Sequence, residues 1–279
     1  MSEQKITPSP KSSIEQAIKG HYIIDVKIVI TEAWQLTKQS RLSINVGLLF
    51  IIFVGMLVAI MASHFIGGIE TVFGDPKLST LLNILVTVII WPFLAGIEMM
   101  GVYHSVGKFT QAKMVFSFLN RGSVVAVCAL LTSLLISLGF QFIIPGIFLA
   151  VVLSLTIPLV VDKKLSPFQA IKISVQALRF KFFQILSLYM ILFMTLIALL
   201  LPILLLAESN FSPVGIAFFL FGMTYLAPLY YNIKGILYRN IFGVTDVDNY
   251  MKLAKESPID DSTAAKAEQT KDKDDTFSA

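Results

Sequence analysis

The sequence is poor in charged residues. Asp, Glu, Lys and Arg make up 14% of its 279 residues, whereas apolar residues make up 56%. A soluble domain has about 25% charged residues, so this chain has too few to cover the surface of an ordinary globule. Its apolar residues also form runs long enough to cross a membrane as helices. These features exclude a typical soluble protein and predict an integral membrane protein.

Residues that commonly bind metals or perform catalysis are also scarce. The single cysteine, Cys128, lies inside an apolar run, so it cannot form a disulfide within the chain or a cysteine-based metal site. The three histidines, His21, His64 and His104, are widely separated. No G-x-S-x-G, H-E-x-x-H, P-loop or Rossmann motif is present. We therefore predict no catalytic site, no metal site, no cofactor and no enzymatic activity.

Six apolar segments predict an all-α, polytopic fold with six transmembrane helices. The predicted spans are residues 42–66, 78–104, 123–144, 146–161, 183–207 and 213–238. The third and fourth come from one stretch without charges that would be about 58 Å long as a single helix, almost twice the thickness of the hydrocarbon core. It must fold back, and Pro145-Gly146 predicts the turn. The short fourth segment could alternatively be re-entrant.

Polar and amphipathic segments surround the spans. Residues 1–13 and 246–279 contain few apolar residues and are predicted to be disordered. Residues 14–41 combine apolar and charged residues at helical spacing, which predicts an amphipathic helix in the membrane interface. The six-helix membrane domain is then expected to cover residues 42–240.

A second interfacial helix is predicted from Pro167 to Phe182, with Ser166 as its cap. Apolar side chains recur every three or four residues: Phe168, Ile171, Val175 and Leu178. Basic side chains lie opposite them: Lys172, Arg179 and Lys181. We predict that this basic helix faces the lipid surface and contacts anionic lipids. The alternative is a connecting helix whose apolar face packs on the spans.

The basic residues collect on one side of the predicted topology. That side holds both termini and the following connecting residues: Lys108, Lys113, Arg121, Lys163, Lys164, Lys172, Arg179 and Lys181. The opposite side has Lys77 as its only basic residue. The positive-inside rule therefore places both termini in the cytoplasm. Membrane orientation also explains the net charge of +4 without a nucleic-acid partner.

The order of basic segment, span and span occurs three times. The leading basic segments are residues 27–40, 108–120 and 167–182. The second span of each pair contains a proline: Pro92, Pro158 and Pro228. This pattern suggests a threefold repeat of helix pairs, and internal repeats are common in membrane transporters.

One carboxylate lies inside a predicted span. Glu98 is in the second span, and a charge at such a depth costs several kcal/mol unless it is paired, protonated or hydrated. Lys234 and Arg239 lie in the cytoplasmic half of the sixth span, where either could pair with it. Glu98, Lys234 and Arg239 are thus the candidate intramembrane polar site. Alternatively, Glu98 faces the interface and the two basic side chains reach lipid headgroups.

The stretch from Gly139 to Ser174 resembles a signature found in a broad group of bacterial membrane proteins. The shared elements are Pro145-Gly146-Ile147, Pro158 before Asp162-Lys163, and Phe168-x-Ala170-x-x-x-Ser174. The group includes the YciC-like inner-membrane family and is related to the membrane domain of glycerophosphodiester phosphodiesterase. The resemblance implies six helices in a bacterial inner membrane and supplies no catalytic motif. The chain has no soluble phosphodiesterase domain, so that activity is not expected.

The leading functional interpretation is a non-enzymatic structural, assembly or envelope-homeostasis role. The alternative is a small-molecule or lipid transporter or channel, and an intramembrane enzyme ranks third. Transport predicts that polar residues of several spans converge, and the candidates are Asn83, Thr87, Glu98, Thr132, Ser154, Thr195 and Thr224. Membrane lipids are the expected partners, and a homo- or hetero-oligomer with other membrane proteins is compatible with the sequence.

Overall fold

A computed structural model describes residues 14–245, and every regular element in this part of the chain is a helix. The helices are α1 (Ile14–Ile18), α2 (Val26–Ile66), α3 (Ile69–Gly74), α4 (Pro76–Ser105), α5 (Gly122–Gly139), α6 (Ile143–Val152), α7 (Thr156–Asp162), α8 (Pro167–Leu178), α9 (Phe182–Leu206) and α10 (Ser212–Phe242). Six segments are long and apolar enough to cross a membrane, which confirms the predicted all-α membrane fold. The predicted disordered segments 1–13 and 246–279 lie outside the described residues.

The first membrane helix, α2, begins earlier than predicted. The Asp25 carboxylate accepts a hydrogen bond from the Ile28 amide at 3.0 Å, and α2 then continues without interruption to Ile66. No break in the helix therefore marks the boundary predicted after residue 41. The predicted interfacial helix 14–41 consists of α1 and the first half of α2, and its place in the membrane interface stays a prediction. Neither proline nor glycine occurs between residues 26 and 46 to break the helix.

The charge-free stretch folds back as predicted, but the turn comes before Pro145. Residues 140–142 connect α5 to α6, so Pro145 lies in the first turn of α6, where its missing N–H leaves no hydrogen bond unmade. Gly139 and Gly146 meet across this turn, since a Cβ on Gly139 would lie 3.0 Å from the Gly146 Cα. The absence of both side chains allows this close return of the chain.

The fourth membrane segment consists of two helices, α6 and α7, separated by residues 153–155. With the interruption included, the segment covers 20 residues, Ile143–Asp162, or about 30 Å at helical rise, which is sufficient for a full crossing. At the interruption, the Val152 carbonyl accepts a hydrogen bond from the Ser174 hydroxyl at 2.5 Å. Ser174 therefore ties α8 to the interrupted segment.

Helix α8 packs on the membrane helices through one face and presents its basic residue on another. A capping box of Ser166 and Gln169 begins the helix. Its buried residues are Ala170, Ser174, Ala177 and Leu178. Phe168 is 72% exposed and Lys172 is exposed, while Arg179 and Lys181 lie in the 3-10 turn after α8. Of the predicted apolar stripe, Leu178 alone is buried, so the connecting-helix alternative and the lipid contact of the basic residues both stay predictions.

The three leading segments of the suggested repeat differ in structure. Residues 27–40 belong to α2, and residues 108–120 contain 3-10 turns instead of an α-helix. Residues 167–182 contain α8. Each leading segment is followed by two membrane-spanning segments, as the sequence pattern predicts, but the repeat itself stays a prediction.

Helices α4 and α10 cross with their backbones in contact. A Cβ on Gly235 would overlap the Gly101 carbonyl, and a Cβ on Gly101 would overlap the Tyr231 carbonyl. Gly96, which precedes Gly101 in α4, lies against the backbone of Met114 and Val115. These glycines let α4 pack closely against α10 on one side and against the 3-10 segment on the other.

Several helix ends meet at one face of the bundle, which we call the basic face. There the Tyr238 hydroxyl donates to the Asp162 carboxylate at 2.7 Å, and Arg239 contacts Glu32 and the Ser105 carbonyl. These contacts join the start of α2 to the ends of α4, α7 and α10. This is the face that the positive-inside rule predicts to be cytoplasmic.

Candidate intramembrane binding site

Glu98 of α4 and Lys234 of α10 form a buried ion pair. The Lys234 Nζ donates to Glu98 Oε1 at 2.6 Å, and each side chain is 5% exposed. The adjacent crossing at Gly101 and Gly235 brings the two helices close enough for this short contact. An unpaired charge in a low-dielectric interior is strongly unfavourable, so each residue offsets the burial of the other.

Arg239, the third candidate residue, belongs to a different cluster. Its guanidinium forms a two-pronged contact with Glu32, with Nη1 2.5 Å from Oε1 and Nη2 2.9 Å from Oε2. It also donates to the backbone carbonyl of Ser105. Such paired hydrogen bonds fix both partners in one geometry. The structure thus brings Glu98 and Lys234 together and places Arg239 at the basic face.

The ion pair lies in the wall of a large cavity of about 1240 Å³. Residues of α2, α4, α5, α6, α7, α9 and α10 line it, and most of them are Leu, Ile, Val, Phe, Met or Ala. This volume exceeds the roughly 300–1,000 Å³ of pockets for drug-sized ligands. Four of the lining residues are more than half exposed: Leu49, Ile52, Phe193 and Leu220. The cavity therefore opens on the apolar outer surface of the bundle.

Three buried polar atoms at this cavity have no hydrogen-bond partner among the described residues: Glu98 Oε2, Ser154 Oγ and Tyr189 Oη. All three residues line the cavity, although they come from α4, the α6–α7 interruption and α9. A buried polar group without a partner costs about 1–3 kcal/mol, and such groups are rare in native proteins. The hydroxyls of Ser154 and Tyr189 lie close enough to interact with each other, although neither has a hydrogen-bond partner at normal distance and angle. We call Glu98, Ser154, Tyr189 and Lys234 the polar end of the cavity.

One aromatic ring lies near the ammonium group of the polar end. The Lys234 Nζ lies 5.5 Å from the centre of the Tyr230 ring, a distance at which the ring face attracts a cation. The rings of Tyr189 and Tyr231 in turn pack on Tyr230, at 6.1 Å and 5.2 Å from its ring. The ammonium group therefore lies between the Glu98 carboxylate and the Tyr230 ring.

Four of the seven predicted transport residues converge on the cavity. Glu98, Thr132, Ser154 and Thr224 line it, whereas Asn83, Thr87 and Thr195 are not among its lining residues. The sequence did not predict Tyr189, although a tyrosine within the apolar run of α9 is a recognisable signal. Glu32, the partner of Arg239, was missed because its segment was interpreted as part of an interfacial helix.

A second polar network lies closer to the basic face and is satisfied internally. His104 Nδ1 contacts Asn232 Oδ1 at 3.0 Å, and Asn232 donates to the Thr37 hydroxyl at 3.0 Å. The other ring nitrogen of His104 lies 2.7 Å from the Thr110 hydroxyl. The sequence did not predict this network, whose hydrogen bonds connect α2, α4 and α10. Because its groups bond one another, it offers no free group to a ligand.

Among residues 14–245, no cluster of His, Cys, Asp and Glu could hold a metal ion. Comparisons of the chain with protein-family profiles, curated proteins and solved structures find no match. The resemblance to the YciC-like family therefore stays a prediction, and the functional argument depends on the geometry of the cavity.

Proposed function

We propose that this integral membrane protein binds a membrane amphiphile, with the apolar chain in the cavity and the polar group at the polar end. One observation carries the proposal: three unpartnered buried polar atoms share a large apolar cavity that opens on the outer surface of the bundle. A ligand with a polar group and an apolar chain matches both parts of this arrangement.

The lining argues against a path for hydrated ions or sugars. Apolar side chains form most of the wall, and most of the exposed lining residues are apolar as well, with Ser133 and Thr224 as polar exceptions. A hydrated solute would lose water contacts along this wall without replacement. A lipid chain, in contrast, exchanges one apolar environment for another, so the chain itself adds little affinity. Affinity and selectivity must then come from the polar end and from the shape of the cavity.

This arrangement favours the lipid-handling alternative over a purely structural role. A protein that only holds partners together has no need for an open interior of this size. We further propose that the membrane is a bacterial inner membrane and that the basic face is cytoplasmic. The positive-inside count and the resemblance of residues 139–174 to an inner-membrane family support this assignment.

Filling the cavity tests the proposal. Ala150 of α6 lines the cavity, and Ala150→Trp would occupy part of its volume. Ala198 of α9 is exposed and is not a lining residue, so Ala198→Trp is a matched control. Each protein is purified in mild detergent, and retained lipid is quantified by native mass spectrometry.

We expect the wild-type protein and Ala198→Trp to retain lipid and Ala150→Trp to lose it, with all three eluting as folded species. Equal lipid retention by Ala150→Trp and Ala198→Trp would show that the cavity is not the binding site. Failure of the wild-type protein to retain any lipid would reject the proposal entirely.

A further inference from the structure

The polar end also specifies the chemistry of the headgroup. We infer that the ligand is a neutral, hydroxyl-bearing lipid, such as an acylglycerol or a long-chain alcohol, and not a phospholipid. This inference rests on the proposed function and deepens it. It follows from the charges of the cavity, from the hydrogen bonds that its free atoms require, and from the depth of the polar end.

The cavity holds no uncompensated charge. Glu98 and Lys234 are the only acidic and basic residues among those that line it, and they neutralise each other at 2.6 Å. A phosphate group placed there would lose its hydration without gaining a free cation, and it would lie beside the free oxygen of Glu98. Burying an unpaired charge is strongly unfavourable. A neutral headgroup avoids this penalty.

The free atoms require a group that both donates and accepts hydrogen bonds. Glu98 Oε1 accepts the hydrogen bond from Lys234, and Oε2 is the remaining acceptor of the ion pair. The hydroxyls of Ser154 and Tyr189 can donate as well as accept. A ligand hydroxyl can donate to Glu98 and accept from either neighbour. A phosphodiester can only accept, and a quaternary ammonium can do neither.

The position of the polar end determines how a bound lipid would be oriented. Glu98 lies two turns before the end of α4 at Ser105, which places it about 10 Å along the helix from the basic face. Leu220, at the opening, lies nearly four turns from Lys234 along α10, or about 21 Å. A bound lipid would therefore direct its headgroup towards the basic face and its chain away from it.

Binding of defined lipids to the purified protein provides the test. The probes are a diacylglycerol, a long-chain alcohol, and phosphatidic acid with the same acyl chains as the diacylglycerol. Ser154→Ala and Tyr189→Phe remove the two free hydroxyls without changing any charge. Ser187→Ala is the control, because the Ser187 hydroxyl is exposed and donates to the Phe183 carbonyl of its own helix. Dissociation constants are measured in mixed micelles for each combination of protein variant and lipid probe.

We expect at least one neutral probe to bind about tenfold more tightly than phosphatidic acid, a difference of ~1.4 kcal/mol. Ser154→Ala and Tyr189→Phe together should weaken binding of the neutral probe and narrow this preference, whereas Ser187→Ala should leave both unchanged. The neutral probe that binds more tightly identifies the source of the hydroxyl. Equal or tighter binding of phosphatidic acid by the wild-type protein would overturn the headgroup inference and leave the cavity proposal standing. Absence of binding for every probe would overturn both.

Discussion

Gly235 of α10 lies directly against the backbone carbonyl of Gly101 in α4. That carbonyl occupies the position where a Cβ of residue 235 would sit. The ion pair of Glu98 and Lys234 is adjacent to this contact in both helices. The distance between the two charges is therefore set by two residues that have no side chain. Any side chain at either glycine must separate the helices and lengthen the ion pair.

Replacing Gly235 with alanine should destabilise the protein. The added methyl group would overlap backbone atoms, which cannot move as a flexible side chain can. Overpacking of this kind costs about 1–3 kcal/mol. Gly74→Ala is the control, since no atom lies within 4 Å of the added Cβ there. Thermal unfolding in detergent measures both variants, and equal melting temperatures would contradict the close contact.

The ion pair should show strong coupling between its two residues. Glu98→Gln or Lys234→Met alone leaves one charge buried without its partner, which costs about 3–5 kcal/mol. The double variant removes both charges and should be more stable than either single variant. A double-mutant cycle of unfolding free energies measures the coupling. Additive losses in the double variant would show that the two residues do not interact.

Tyr22 should make stability depend on alkaline pH. Its hydroxyl donates to the Ala177 carbonyl at 2.7 Å, and burial raises the pKa of Tyr22 to about 12. The unfolded side chain has a pKa of about 10, so the stabilisation is complete below that pH and is lost as the pH rises towards 12.

Between these limits the wild-type protein should lose roughly 1–2 kcal/mol more than Tyr22→Phe, at about 1.36 kcal/mol per pKa unit. Melting curves across this pH range provide the measurement. Parallel curves for the two proteins would mean that Tyr22 ionises equally well in the folded state.

Cysteine labelling should place the basic face in the cytoplasm. Cys128 is buried, and Cys128→Ala provides a background without thiols. In intact cells, Ser209→Cys should react with a membrane-impermeant maleimide, because Ser209 lies in the exposed connection between α9 and α10. Asn120→Cys, exposed between α4 and α5, should react only after the cells are opened. The reverse pattern would invert the orientation given by the positive-inside rule.

The basic residues after Pro167 should attract anionic lipid. Each basic residue near an anionic leaflet contributes about 1 kcal/mol. Replacing Lys172, Arg179 and Lys181 with Gln should therefore reduce the anionic lipid that copurifies with the protein. Lys77→Gln, on the opposite side, should have no such effect. Unchanged lipid composition in the triple variant would leave α8 with its connecting role alone.

The membrane fold could be predicted because its causes are local. Runs of apolar residues identify the six segments, and the cost of an isolated charge predicted that Glu98 lies close to Lys234 or Arg239; Lys234 is the partner found. The same argument could not separate Lys234 from Arg239, because both lie in the same half of α10. The structure resolves this through Glu32, which is 207 residues away from Arg239 in the chain.

The cavity could not be predicted for a related reason. Its wall combines side chains from seven helices, and hydropathy describes only one helix at a time. The free atoms of Ser154 and Tyr189 are recognisable as such only once the neighbouring helices are in place. Similarly, the residue types at Pro145-Gly146 favour a turn there, but the close contact between Gly139 and Gly146 places the turn before Pro145.

The continuous helix α2 links the two ends of this system. Its first half carries Glu32, which holds Arg239 at the basic face, and its second half carries Leu48 and Ile52 in the cavity wall. No break in α2 separates Glu32 from Leu48 and Ile52, so the contact that holds Arg239 and this part of the cavity wall belong to one continuous structural element.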